Sequence, residues 1–104
     1  MRISYERSGG FMGRKLNFSV DLEELPKDQA ETLNRLLQQA DFFNLPEDLI
    51  SKRVPDEFTY IITVERATQS HRVRFSDTSM TDPLRPLFDE LSRQARTGKG
   101  TFRP

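Results

Sequence analysis

Polar and apolar residues alternate twice near the start of the chain, on either side of a glycine-rich break, and this constrains the fold more than any other feature. Met1, Ile3 and Tyr5 alternate with Arg2, Ser4 and Glu6; Leu16, Phe18, Val20 and Leu22 alternate with Lys15, Asn17, Ser19 and Asp21. A period of two places every apolar member on one side of a pleated strand. Gly9, Gly10 and Gly13 interrupt the pattern at hairpin distance, so the two segments read as antiparallel strands joined through "SGGFMG".

Past Leu25 and Pro26 the period lengthens. Ala30, Leu33, Leu36, Leu37 and Ala40 fall on one stripe opposite Lys27, Asp28, Glu31, Arg35 and Gln38, which predicts a helix from Pro26 to about Asp41. Pro26 suits its first turn, and Asp28 and Glu31 suit the positive end of its dipole. The stretch "DFFNLPEDLISKRVPDE" is irregular but apolar, with a helical turn expected at Pro46 to Ile50. A second hairpin follows: Phe58, Tyr60, Ile62 and Val64 face one way, Ala67 to Ser70 turn, and Val73 and Phe75 face inward on the return. Thr81 or Asp82 can cap a last helix begun by Pro83, with Leu84, Leu87, Phe88, Leu91 and Ala95 as its buried stripe.

The expected fold is therefore α+β: a four-stranded antiparallel sheet in the order β-β-α-β-β-α, with both helices packed on one face. The other face, carrying Lys15, Asn17, Thr63, Arg72 and Arg74, is expected to be wet. At 104 residues the chain makes one domain with one modest core, assigned to residues 1–96, followed by an aperiodic, flexible tail at 97–104.

Sixteen Lys and Arg balance sixteen Asp and Glu without forming blocks, which argues against a nucleic-acid or membrane-surface binder. The start of the chain lacks the continuous apolar run of a secretory signal, and no stretch approaches the roughly 20 apolar residues of a membrane span. With no cysteine, neither a disulfide framework nor a thiolate metal site can form. A cytoplasmic protein, monomeric when free and needing no cofactor, is the resulting expectation.

Enzyme chemistry finds no footing. His71 is the single histidine and sits among strand residues, where solvation is its plain role. The serines lack the glycine-flanked elbow that presents a nucleophile. "GGFMGRK" runs into a strand, whereas a phosphate-binding loop ends in Gly-Lys-Ser/Thr and opens a helix. The acidic pairs Glu23-Glu24 and Asp89-Glu90 sit where helix ends and solvated faces place carboxylates.

What survives is a surface. Phe11 and Met12, large apolar side chains between glycines, either tuck back onto the core or stand out as anchors, and a single such anchor can contribute ~2 kcal/mol to an interface. One hairpin tip covers less than the ~800 Å² per partner of an ordinary stable interface, so a second segment is needed. "SDTSM", Ser76 to Met80, is the candidate, with Met80 either outward or packed inward, and with Asp77 able to meet a cationic group.

The segments "ISYERSGGF", "ADFFNLP", "ITVE" and "LRPLFDEL" together resemble the emfourin family of small bacterial protein inhibitors of thermolysin-like zinc metalloproteases such as protealysin. The resemblance spans nearly the whole chain except "TGKGTFRP". It implies a non-enzymatic protein that blocks the active-site cleft of a protease, the metal belonging to the target. Thermolysin-like proteases favour a bulky apolar side chain just after the scissile bond, and the expectation drawn from this sequence, rather than from the family, is that Phe11 or Met12 offers it. Ser8, Gly9, Gly10 and Gly13 would then follow the substrate's path, and Asp77 could approach the target's zinc. The partner-binding set is thus Ser8, Gly9, Gly10, Phe11, Met12, Gly13, Ser76, Asp77 and Met80. The alternative is a regulatory interaction module that binds through the same loop without blocking an active site.

Overall fold

A computed structural model of the chain describes residues 1–9, 16–50, 52, 54, 57–97 and 101–103. Two strands, β1 (Arg2–Gly9) and β2 (Leu16–Asp21), precede helix α1 (Lys27–Ala40); β3 (Phe58–Glu65) and β4 (Ser70–Ser76) precede helix α2 (Arg85–Thr97). Through α2 this is the element order expected from the sequence. A short β5 (Thr101–Arg103) follows α2.

All pairings are antiparallel, and the sheet runs β4-β3-β1-β2-β5, so the first strand of the chain lies at its centre. Register decides which face is buried. Ile3 stands opposite Val20 and Val64, Tyr5 opposite Phe18 and Ile62, Tyr60 opposite Phe75, and Ile62 opposite Val73. With two-residue alternation these side chains share one face, where they join Leu33, Leu37 and Ala40 of α1 and Leu87, Leu91 and Ala95 of α2 in one buried cluster. Both helices therefore cover the same side of the sheet. Arg2, Ser4, Asn17, Ser19 and Thr63 lie on the other side, none of them buried.

Four details differ from the expectation. The sheet has five strands rather than four, because Thr101–Arg103, within the segment read as a tail, pairs with Asn17–Ser19. Three residues are too few to show a period, and the unpaired backbone of an edge strand accepts almost any partner. The helical turn expected at Pro46 to Ile50 is replaced by a 3-10 turn at Phe42–Asn44 and a bridge to the outer edge of β4. There the Leu49 N–H donates to the Arg74 carbonyl and the Arg74 N–H to the Glu47 carbonyl, both at 2.8 Å. Edge amides again decided the local structure. α2 begins at Arg85, after a 3-10 turn at Asp82–Leu84 that contains Pro83, and Thr81 caps that turn with no side-chain bond.

The fourth concerns His71, which is only partly exposed rather than solvated. Its Nε2 lies 2.7 Å from the Leu45 carbonyl oxygen, and its ring meets Phe42 edge-on at 5.6 Å between centroids. The residue ties the end of α1 to β4. That end is shaped by Asp41, whose φ of 51° stops the helix in the left-handed region while its carboxylate accepts a bond from Asn44 Nδ2 at 2.8 Å.

Candidate functional site

β3 aligns the ends of its two neighbours. Ser8 of β1 stands opposite Thr59, and Thr59 stands opposite Ser76 of β4. With strands ~4.8 Å apart, the backbones at Ser8 and Ser76 are about 10 Å from one another at one end of the sheet. Two segments far apart in sequence thus leave the sheet side by side, which no local pattern announces. Gly10, Phe11, Met12 and Gly13 lie outside the described residues, and so does Lys15.

Gly9 closes β1 opposite Phe58. Its φ is +86°, and a Cβ built there would lie 3.2 Å from the carbonyl oxygen of Glu57. Glycine is the residue that both the backbone rotation and the close approach require.

The turn after β4 is held from several directions. The Ser76 N–H donates to Ser79 Oγ at 2.7 Å and the Ser79 N–H to the Ser76 carbonyl at 3.2 Å. Asp77 Oδ1 accepts from the Tyr60 hydroxyl at 2.7 Å, and Asp77 Oδ2 from the Phe58 N–H at 3.2 Å. In the opposite sense, Glu57 Oε1 accepts from the Thr78 N–H at 2.9 Å. Ser76 is buried, with 3% of its surface exposed, so its side chain faces the turn and not a partner. Asp77 and Thr78 are exposed, whereas Met80 is half-buried and packs against the core.

Tyr60 forms the floor of this end. Its ring packs against Phe88 at 4.7 Å and Phe75 at 5.4 Å between centroids. Burial first, and then the adjacent Asp77 carboxylate, raises the pKa of its phenol well above the ordinary tyrosine value, so the hydroxyl keeps the proton it donates. Arg7 lies over the Phe58 ring, 4.9 Å from its centroid. Beside these groups a cleft of about 470 Å³ runs between the sheet and α2, lined by Tyr5, Arg7, Tyr60, Phe88 and Ser92 among others. The Tyr5 hydroxyl and Ser92 Oγ are 3.3 Å apart there.

Sequence reasoning missed Glu57, Phe58, Tyr60 and Arg7 as parts of this end. The register of the second hairpin is the signal that could have found the first three. Arg66 N–H donates to the Gln69 carbonyl at 2.7 Å, so the tight turn centres on Ala67 and Thr68, and counting outward sets Phe58 against Asp77. The turn read as Ala67 to Ser70 is centred one residue later and shifts every partner by two.

Among the described residues, no helix is long and apolar enough to cross a membrane, and no three His, Asp or Glu side chains are grouped to hold a metal ion. A comparison with known protein families matches residues 5–92 to the family model described as Emfourin, a span that includes both strand ends and the turn after β4. Neither the curated proteins nor the solved structures provide a match.

Proposed function

Since the chain belongs to the Emfourin family, a family of protease inhibitors, we propose that it inhibits a thermolysin-like zinc metalloprotease of the protealysin type. The active-site cleft of the target is blocked by the sheet end that carries Ser8 to Gly13 and Ser76 to Met80. The observation that carries this reading is the family match across residues 5–92, joined to the convergence of the two segments through Thr59. A composite surface of that kind supplies area that a lone hairpin tip lacks. Paired strands beneath it limit the entropy lost on binding.

In this reading the apolar pair Phe11 and Met12 supplies the side chain for the pocket just after the scissile bond, and the zinc remains the protease's own. The test is a titration of a zinc-loaded thermolysin-like protease with the wild-type chain, following peptide hydrolysis. Inhibition predicts loss of activity that saturates at one chain per enzyme. Phe11→Ala or Met12→Ala raises the inhibition constant about 30-fold, the equivalent of an anchor of ~2 kcal/mol. Binding without loss of activity would favour the regulatory module, and unchanged constants in both folded variants would move the contact surface elsewhere.

A further inference from the structure

Asp77 stands on the exposed turn as though available to a partner, yet each of its carboxylate oxygens already accepts a bond from β3. The β3–β4 ladder ends at Thr59 and Ser76. One residue further along β3, the Phe58 amide donates to Asp77 Oδ2 in place of a backbone carbonyl. Glu57, the residue just before β3, reciprocates by accepting from the amide of Thr78. Each side of the junction thus offers a carboxylate to a backbone N–H of the other, an arrangement that works in both directions as a helix capping box does. The Tyr60 hydroxyl adds a third, shorter bond from beneath, and its ring is fixed among Tyr5, Phe75 and Phe88.

We propose that Glu57, Tyr60 and Asp77 are positioning residues that lock the turn from Ser76 to Met80 into the form a protease meets, with Asp77 acting through this lock and not by touching the target. The inference rests on the inhibitor reading and deepens it. A connection between a strand and a helix does not need such anchoring, because water can satisfy the amides of an exposed turn. Three bonds to ionised acceptors, each stronger than a neutral bond, hold a segment whose tip at Asp77 and Thr78 is open to solvent. For a loop presented to a protease, that order lowers the entropy lost on binding and slows departure of the complex.

Tyr60→Phe removes one bond and keeps the ring; Glu57→Ala removes another from a partly exposed side chain, and serves if the first variant folds poorly. Glu57→Gln retains an acceptor oxygen. Three quantities are read: the dissociation rate of the protease complex, amide exchange at Phe58 and Thr78 in the free chain, and thermal unfolding. Tyr60→Phe and Glu57→Ala each speed exchange at these amides and raise the dissociation rate about tenfold, with cooperative unfolding retained. Glu57→Gln, which keeps the acceptor oxygen but loses the charge, falls between Glu57→Ala and the wild type in both rates. Faster exchange with an unchanged dissociation rate overturns the positioning role. Fast exchange at both amides in the wild-type chain overturns the lock itself. A wild-type chain that fails to inhibit, while exchange at both amides stays slow, overturns the inhibitor reading and takes the positioning role with it.

Discussion

Replacing Gly9 by alanine tests whether the β1 terminus is shaped by conformational demand or merely tolerates glycine. Two costs arise at this position. The φ of +86° is one that residues with a Cβ rarely adopt, which costs about 1–2 kcal/mol. The new Cβ also sits 3.2 Å from the carbonyl oxygen of Glu57, so the backbone just ahead of β3 must move by a few tenths of an ångström. Against both stands the smaller conformational entropy of the unfolded alanine chain, about 0.4–1 kcal/mol in favour of the variant. The net expectation is a loss of about 1–2 kcal/mol, or roughly 5–10 °C in Tm for a domain of this size. Urea unfolding followed by circular dichroism measures it, with a lower midpoint and an unchanged slope. Gly9→Asn separates the two costs: asparagine tolerates positive φ but carries the same Cβ, so it recovers stability only where rotation dominates. An alanine variant as stable as the parent to within about 0.3 kcal/mol would refute the argument, since even the smallest expected loss, about 1 kcal/mol, lies well outside that margin.

Both tyrosines of the chain hold their protons more tightly when folded, Tyr5 through burial and Tyr60 through burial and then Asp77. In the unfolded chain they ionise near pH 10, so their contribution is complete below about pH 10 and is lost as pH rises toward the folded values. Urea midpoints should fall above that pH and fall less in Tyr60→Phe; a flat profile would refute the claim. His71→Ala removes the partner of the Leu45 carbonyl and the edge contact with Phe42, and should cost about 2 kcal/mol in urea unfolding without changing how the free chain exchanges at Phe58 and Thr78.

Legibility in the sequence follows the kind of force involved. Burial of a face leaves a period behind, so β1, β2, α1, β3 and β4 were readable from Ile3-Tyr5, Phe18-Val20, Leu33-Leu37, Tyr60-Ile62-Val64 and Val73-Phe75. Backbone pairing at an edge leaves none. Thr101–Arg103 pairs through main-chain groups, and the bridge at Asp48 adds to its main-chain bonds an exposed ion pair between Asp48 and Arg74 at 3.0 Å, a contact 26 residues apart that leaves no period either. His71 shows the same divide in another form: its strand position was readable, but its partners Leu45 and Phe42 come from a segment whose path depends on the edge of β4.

Apolar spacing and extended identity survive without coordinates, so the order of elements from β1 through α2, the single covered face and the family were all legible in the sequence, whereas β5 was not. Tertiary structure alone decided that β1 is central and that Thr59 draws Ser8 and Ser76 to one end of the sheet. It also decided that Asp77 spends its carboxylate on Phe58 and Tyr60. The reason is register: a shift of one residue in the hairpin turn moves each partner by two positions, and a polar contact between side chains 17 residues apart has no period to betray it.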